Sequence, residues 1–243
     1  MLQLAMHTQP DDESCGPTSL HAIYQFYNLD IPLNTLVETI PRSLSGGTYA
    51  SFLGQDALNR GFDTELYVNN VTIFDPSWFE ENGTAERVFL INKLTMQMEH
   101  KRTPIILQAS QAYLDYLRLD GKVFFKTINS TLLKTYFNAK IPVLAGLSAT
   151  YLYRSMREVF TDHGESLFDD IKGMPCGHFV VLCGYDEHHR SVVVADPHRE
   201  NPLSHDNYYK VSINRLINAI MLGVITDDAN LLIIQPKTLC KQS

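Results

Sequence analysis

A cysteine near the start of the chain has the neighbours that a nucleophile needs. Cys15 stands in the stretch HTQPDDESCGPTSLHAIYQFY, after Gln9 and directly before Gly16 and Pro17. A proline in the first turn of a helix costs no hydrogen bond, so the stretch predicts a helix that begins close to the cysteine. A thiol in that position is either a small buried hydrophobe or a thiolate stabilised by the helix N-terminus. Its role therefore depends on a partner base.

Such a base is predicted far downstream, in GHFVVLCGYDEHHRSVVVADP. Two apolar runs joined by a polar turn predict an antiparallel hairpin. A turn centred on Glu187 places His178 opposite Asp196, or within about one residue of it, with Cβ atoms roughly 4.5–5.5 Å apart. A carboxylate in contact with an imidazole can hold its tautomer while the other ring nitrogen takes a proton from a nucleophile. The hairpin thus supplies a general base for a thiol brought to it by the fold.

Gln9 gains a role from the same arrangement. A side-chain amide ahead of the nucleophile can donate to the oxyanion of a tetrahedral intermediate, together with the backbone N–H of Cys15. Removing one such donor typically costs about 10²–10³ in turnover. Asp11, Asp12 and Glu13 would oppose a negative thiolate beside them, so we expect their side chains to face solvent.

The complete set of residues resembles the papain-like cysteine peptidases. Gln9, the CGP motif at Cys15, GHFVVL with His178 and VVADP with Asp196 occur in the order of that family, and the closest likeness is to the peptidases that cleave double-glycine leader peptides from bacteriocin precursors. The resemblance implies Cys15 as nucleophile, His178 as general base and acid, Asp196 as orienting residue and Gln9 as oxyanion donor. It also implies a peptide or amide substrate, and neither a cofactor nor a metal. No transporter segment is present, so we expect a free-standing relative.

The resemblance implies an α+β fold, in which a helical N-terminal lobe packs on a C-terminal lobe of antiparallel β-sheet. The periodicity of apolar residues agrees, because helical patterns occupy the first half of the chain and short β-branched runs the second. Predicted helices cover residues 14–27, 48–60, 85–94 and 131–139, and predicted strands cover residues 141–149, 178–185, 191–196 and 230–235. A further helix starts at Ser212 and stops at Gly223. We therefore expect one domain, with residues 1–140 as the helix-rich lobe and 141–243 as the sheet lobe.

The polar segment 151–177 has only weak helical patterning. Long excursions of this kind are often lids or binding loops, and are otherwise solvated surface insertions. The sequence leaves both interpretations open.

Composition narrows the function further. The chain has 243 residues, of which 44% are hydrophobic, and a net charge of −7. The acidic balance argues against nucleic acid as a partner, and no apolar stretch approaches the roughly 20 residues that span a bilayer. The four cysteines form no C-x-x-C pair, which argues against a disulfide framework and favours the cytoplasm. Cys183 and Cys240 are most simply structural thiols.

Three other functions are compatible with parts of the pattern. An amine could capture the same acyl-enzyme, which would give a transpeptidase or transglutaminase-like transferase. A papain-like shell could serve as a peptide-binding module without catalysis. Finally, Cys176, His178, Asp196 and His198 are close together in the predicted hairpin and could bind zinc, although this interpretation leaves Gln9 and Cys15 unexplained.

Overall fold

The helix predicted around the cysteine is present, and it begins at the cysteine itself. In the computed structural model the described residues are 2–44, 46–160, 166–226 and 229–237. The helices within these ranges are α1 (Cys15–Phe26), α2 (Leu33–Thr39), α3 (Ala50–Asn59), α4 (Arg87–His100), α5 (Pro104–Arg118), α6 (Ser130–Asn138), α7 (Ala149–Tyr153) and α8 (Ile213–Leu222). None of them combines the length and the apolar composition that crossing a membrane requires.

The strands form one large sheet and one hairpin. They are β1 (Phe62–Val68), β2 (Lys122–Phe124), β3 (Val143–Ser148), β4 (Glu158–Phe160), β5 (Ser166–Phe168), β6 (Gly177–Asp186), β7 (Ser191–Ala195), β8 (Tyr208–Ser212) and β9 (Asn230–Pro236). The seven-stranded sheet has the order β2-β1-β9-β3-β6-β7-β8, and β4 pairs only with β5. All neighbours in the large sheet are antiparallel except β1 and β2. The predicted α+β fold, with helices packed on a mainly antiparallel sheet, is confirmed.

Helices cover both faces of the large sheet. One apolar cluster joins α1, α3, α4 and α5 to one face, and a second joins α6, α7 and α8 to the other. Strand β6 contributes to both, since Phe179 and Val181 belong to the first cluster while Val180 and Leu182 belong to the second. A strand covered on both faces reads as a continuous apolar run, which is why HFVVLC was recognisable as a strand.

The helices and strands predicted from the sequence are all present, within a few residues of their predicted ends. Helix α4 runs further than predicted, to His100. Helix α8 begins after Ser212 as expected, and the Ser212 hydroxyl accepts from the Arg215 N–H at 3.3 Å. The helix also ends before Gly223, but this glycine has a right-handed conformation and opens a short 3₁₀-helix. Strands β1 and β2 were missed, and they extend the sheet into the half of the chain for which only helices were predicted.

The register of the β6–β7 hairpin differs from the prediction. Val181 pairs with Ala195, so that Asp196 lies nearest Val180 and diagonal to His178, not directly opposite it. The prediction was wrong because the turn follows Asp186 and ends at Arg190, later than assumed. The register shift between Leu182 and Gly184 reduces this error by one residue. Diagonal neighbours still share a face of the sheet, so the two side chains stay within reach of each other.

The segment 151–177 contains the end of α7 and the β4–β5 hairpin, which we call the flap (residues 158–160 and 166–168). Met174 bridges the flap to the chain that leads into β6 through a two-way backbone hydrogen bond with Glu158, at 2.8 and 3.0 Å. Residues 161–165 of the segment lie outside the described residues, as does Cys240. The flap stands apart from the hydrogen bonding of the large sheet, and it borders the site described below.

The glycine after Cys15 allows α1 to approach the sheet closely. A Cβ atom on Gly16 would lie 2.5 Å from Cγ2 of Thr48 and 3.3 Å from Cδ2 of Phe179. The Thr48 hydroxyl donates to the Pro41 carbonyl at 2.8 Å, which holds that side chain in place. The helix is also tied to β6 by the Ser19 hydroxyl, which donates to the Phe179 carbonyl at 3.1 Å. Gly16 therefore sets the depth at which the cysteine is held.

Replacing Gly16 by Ala is expected to destabilise the protein. The added methyl group gains helix propensity but must displace Thr48, and we expect a net loss of about 1–2 kcal/mol in the free energy of unfolding, measured with urea. The double variant Gly16→Ala/Thr48→Ser removes the clashing methyl and keeps the hydroxyl, so it should recover much of the loss. A double variant no more stable than Gly16→Ala would contradict this account.

Candidate active site

His178 and Asp196 meet as predicted. The Nε2 atom of His178 lies 2.8 Å from Oδ1 of Asp196, and both side chains are buried, with Asp196 at 0% exposure. The sequence prediction that these two residues are in contact is confirmed, although the register that brings them together is not the one expected. An imidazole whose Nε2–H is given to a carboxylate has its Nδ1 atom left for another partner.

The Asp196 carboxylate is held from four directions. Its Oδ1 atom accepts from His178 and from the backbone N–H of His198, each at 2.8 Å. Its Oδ2 atom accepts from the hydroxyls of Tyr153 and Tyr209, each at 2.7 Å. Burial alone would raise the pKa of Asp196, but the charge and hydrogen bond of His178, aided by both phenols, hold it below its ordinary value. The group is therefore a fixed, ionised acceptor.

The two tyrosines are functional candidates that sequence reasoning missed. Burial, followed by the charge of Asp196, raises the pKa of both phenols well above the ordinary value, so they act as donors. Tyr209 pairs with Val194 in the β7–β8 ladder and thus shares a sheet face with Asp196. Recognition of YYKVS as a strand beside β7 would have indicated this neighbour. Tyr153 ends the short helix α7, and no sequence pattern indicated its position.

The backbone around Asp196 is equally well fixed. Its N–H donates to the carbonyl of Asn207 at 2.7 Å, and the Asn207 side-chain amide donates back to the Asp196 carbonyl at 2.7 Å. On the other side, the Gln9 N–H donates to the Pro197 carbonyl at 3.0 Å. The strand that carries the carboxylate is in this way connected to the segment that leads into α1.

Cys15 lies at the head of α1 beside the imidazole. It is 6% exposed and lies close enough to His178 to affect the pKa of the imidazole. Burial lowers the pKa of His178, but the charge and hydrogen bond of Asp196, followed by the influence of Cys15, raise it well above the ordinary value. Since Nε2 faces Asp196, Nδ1 is the ring nitrogen left for the thiol. The fold thus brings together residues that are 163 positions apart in the chain, numbered 15 and 178.

Gln9 lies six residues before Cys15, and its side chain is held by the backbone between them. Its Nε2 atom donates one hydrogen bond to the Asp11 carbonyl at 2.9 Å, which leaves the second N–H of the amide available. The Oε1 atom is buried and has no partner among the described residues. The side chain lines the same cleft as His178. An amide held at one N–H and available at the other suits the predicted role of an oxyanion donor.

The three acidic residues before Cys15 are exposed, as expected. Asp11 and Glu13 both lie near Arg42, with N–O distances of 3.6 and 3.5 Å. Their charges are partly neutralised at the surface by this arginine. Asp12 is instead part of the wall of the cleft.

A cleft of about 580 Å³ opens over these residues. Gln9, His178 and His198 line it, together with residues of the flap and of the segment that follows α7. Cys15 is not among the residues that line this cleft, and its side chain is buried close to the imidazole of His178, which does line it.

Within the described ranges, no group of three or more histidine, cysteine, aspartate or glutamate side chains is arranged to hold a metal ion. The four residues considered for zinc have other contacts here. Asp196 is occupied by its four donors, and the Cys176 thiol donates to the Gly177 carbonyl at 3.3 Å. Cys183 is buried in the sheet, where burial raises the pKa of its thiol to about 12. That residue fits the structural role expected of it.

The chain matches one protein-family model and is similar to several solved structures. A family model described as the Peptidase C39-like family matches residues 1–217. Similar solved structures include a double-glycine motif protease from an AMS/PCAT transporter in complex with its leader peptide, with 13% identity over 97% of this chain and 94% of that one and a TM-score of 0.44. A C39-like peptidase from Bacillus anthracis has 19% identity over 97% and 96%, with a TM-score of 0.44. The peptidase domain of Streptococcus ComA has 12% identity over 98% and 100%, with a TM-score of 0.43. No curated protein sequence matches the chain.

Proposed function

We propose that this chain, which belongs to the peptidase C39-like family, is a papain-like cysteine peptidase that cleaves its substrate through an acyl-thioester on Cys15. The observation that carries the proposal is the hydrogen bond between Asp196 and His178, together with the position of Cys15 close to the imidazole at the head of α1. A thiol, an imidazole and an orienting carboxylate in this order are what nucleophilic catalysis by cysteine requires.

The chemistry begins with transfer of the thiol proton to Nδ1 of His178. The sulfur attacks the substrate carbonyl carbon, and the resulting oxyanion accepts hydrogen bonds from the free N–H of Gln9 and the backbone N–H of Cys15. As the C–N bond breaks, His178 returns the proton to the departing amine. Asp196 stays ionised throughout, because it stabilises the imidazolium without taking its proton.

The second half of the reaction releases the acyl group. Water takes the place of the amine, His178 removes one of its protons, and the oxygen attacks the thioester carbonyl. Collapse of this second tetrahedral intermediate expels the sulfur, which recovers its proton from the imidazolium. The products are a carboxylic acid and an amine, and the enzyme returns to its starting state. The cytoplasmic location was predicted from cysteine usage, and it stays a prediction.

Covalent trapping tests this proposal directly. A peptidyl chloromethyl ketone is expected to alkylate Cys15 within minutes, at a rate far above that of a simple thiol, and peptide mapping by mass spectrometry identifies the residue. Cys176 is an internal control, because it lines the cleft but its thiol donates to the Gly177 carbonyl at 3.3 Å. Labelling confined to Cys176, or at the rate of a simple thiol, would contradict the proposal. Analysis of cleavage products with and without added amine then separates hydrolysis from acyl transfer.

A further inference from the structure

The flap and the segment just before it present large apolar side chains to the cleft and not to the core. Met156, Phe160 and Phe168 all line the cleft, and they are 51%, 59% and 57% exposed. None of the three belongs to either core cluster. When a ligand covers exposed apolar side chains of this size, their removal from water makes the free energy of binding more favourable. The part of the cleft next to these side chains is thus suited to an apolar group of the substrate.

The charges around the cleft are mainly negative. Asp12, Glu158 and Glu200 line it, and none of them takes part in an ion pair in the part of the chain that the structure describes. Arg154 is the one lysine or arginine among the described lining residues. His198 adds no compensating charge near neutral pH, because burial and the nearby charge of His178 lower its pKa. The positive charge of His178 is paired with Asp196, so the three lining carboxylates outnumber the one remaining cationic side chain, Arg154.

We propose that this cleft selects peptides that carry a large apolar side chain next to a lysine or arginine, an inference that rests on the proposed peptidase function. The apolar side chain packs against Phe160 and Phe168, and the cationic group lies near Glu158 and Glu200. Neither carboxylate has an ion-pair partner among the described residues, so a cationic side chain can neutralise them without breaking an ion pair found there. Fields of one sign in a cleft also raise the encounter rate with oppositely charged substrates.

The preference can be measured with matched peptides. A random peptide mixture is first digested and its cleavage sites are sequenced, which gives the position of the selected residues. Peptides that carry Phe-Lys, Phe-Gln or Phe-Glu at that position are then compared by kcat/KM. We expect the lysine peptide to exceed the glutamate peptide by about tenfold or more in dilute buffer. In about 0.5 M salt the ratio should fall severalfold, because screening weakens interactions between exposed charges.

Two variants connect the preference to the flap. Glu158→Gln/Glu200→Gln keeps the shape of both side chains and should bring the lysine-to-glutamate ratio close to one. Phe168→Ala should reduce cleavage of Phe-containing peptides and spare those with Ala at the same position. Glu99→Gln, which changes an exposed carboxylate on α4, is the matched control and should leave both preferences unchanged.

The outcomes separate this inference from the function beneath it. An active enzyme that cleaves the lysine and glutamate peptides equally, or keeps its preference in the Glu158/Glu200 variant, would overturn the specificity and leave the peptidase intact. Loss of the preference in that variant alone, with normal labelling of Cys15, would support it. Failure to cleave any peptide, together with slow labelling of Cys15, would refute the peptidase function and this inference with it.

Discussion

Replacing Cys15 by Ala is expected to abolish peptide cleavage and leave the fold unchanged. Without the sulfur there is no nucleophile, and removal of a catalytic nucleophile commonly lowers kcat by about 10⁴-fold or more. The thiol is 6% exposed and small, so a methyl group fits the same space. The measurement is product formation from the best substrate of the peptide screen, accompanied by circular dichroism and thermal unfolding of both proteins.

Cys176→Ala is the control for this result. The backbone N–H of Cys176 donates to the Thr150 hydroxyl at 3.0 Å, and its carbonyl accepts from the Ala149 N–H at 2.9 Å. Neither of these contacts needs the thiol. We expect this variant to retain cleavage close to that of the unaltered protein. Full turnover by Cys15→Ala would rule out the acyl-thioester mechanism. Equal loss in both variants would instead indicate damage to the cleft.

The parts of the site that local sequence specifies were predictable. Pro17 and the apolar periodicity after it predict α1, and the thiol at its head follows from their position. The runs HFVVLC and SVVVA are strands because both of their faces are buried, and a short polar turn joins them as neighbours. Contact between His178 and Asp196 survives an error in register, because a shift by an even number of residues keeps both side chains on one face.

The features of the site and sheet that the sequence did not predict mostly involve contacts between segments far apart in the chain. Tyr153 and Tyr209 reach Asp196 from α7 and β8, which are brought there by tertiary packing and not by local spacing. The joining of β1 to β9 across the whole chain is likewise a pairing of distant segments. Helix α5 is a different case. Its apolar residues Ala109, Ala112, Tyr113 and Tyr116 have helical spacing after Pro104, so the pattern was present and was overlooked.

Replacing Asp196 is expected to have the second largest effect, and two substitutions separate its causes. Asp196→Ala leaves the hydroxyls of Tyr153 and Tyr209 and the Nε2–H of His178 buried without an acceptor. Each unsatisfied donor costs about 1–3 kcal/mol, and we expect unfolding to become easier by about 3–5 kcal/mol. Cleavage should fall by about 10³-fold or more, since His178 loses both its orientation and its counter-charge.

Asp196→Asn keeps the shape and removes the charge. Its Oδ1 atom can accept from His178 and His198, while its amide donates to the hydroxyls of Tyr153 and Tyr209, which can rotate to accept. The fold should therefore persist. Without the carboxylate charge, the pKa of His178 is expected to fall, because that charge is the main cause of its elevation. The alkaline limb of kcat/KM against pH should move to lower pH, with a loss of about 10–10²-fold at neutral pH.

The difference in stability between the unaltered protein and the Asn variant depends on pH, and the sign of this dependence follows from the two pKa shifts. The raised pKa of His178 stabilises the folded state at and below pH 6.5, its ordinary value, and this contribution is lost as pH rises through the folded-state pKa. The lowered pKa of Asp196 stabilises the folded state above pH 3.8 and is lost as pH falls through its folded-state pKa. Both contributions are complete between those two values, so urea unfolding should show the largest gap between the two proteins there. The alkaline limb of the Asn variant could instead lie at the same pH as that of the unaltered protein, with a stability gap that is equal at every pH. That result would show that Asp196 acts by shape alone and not by charge.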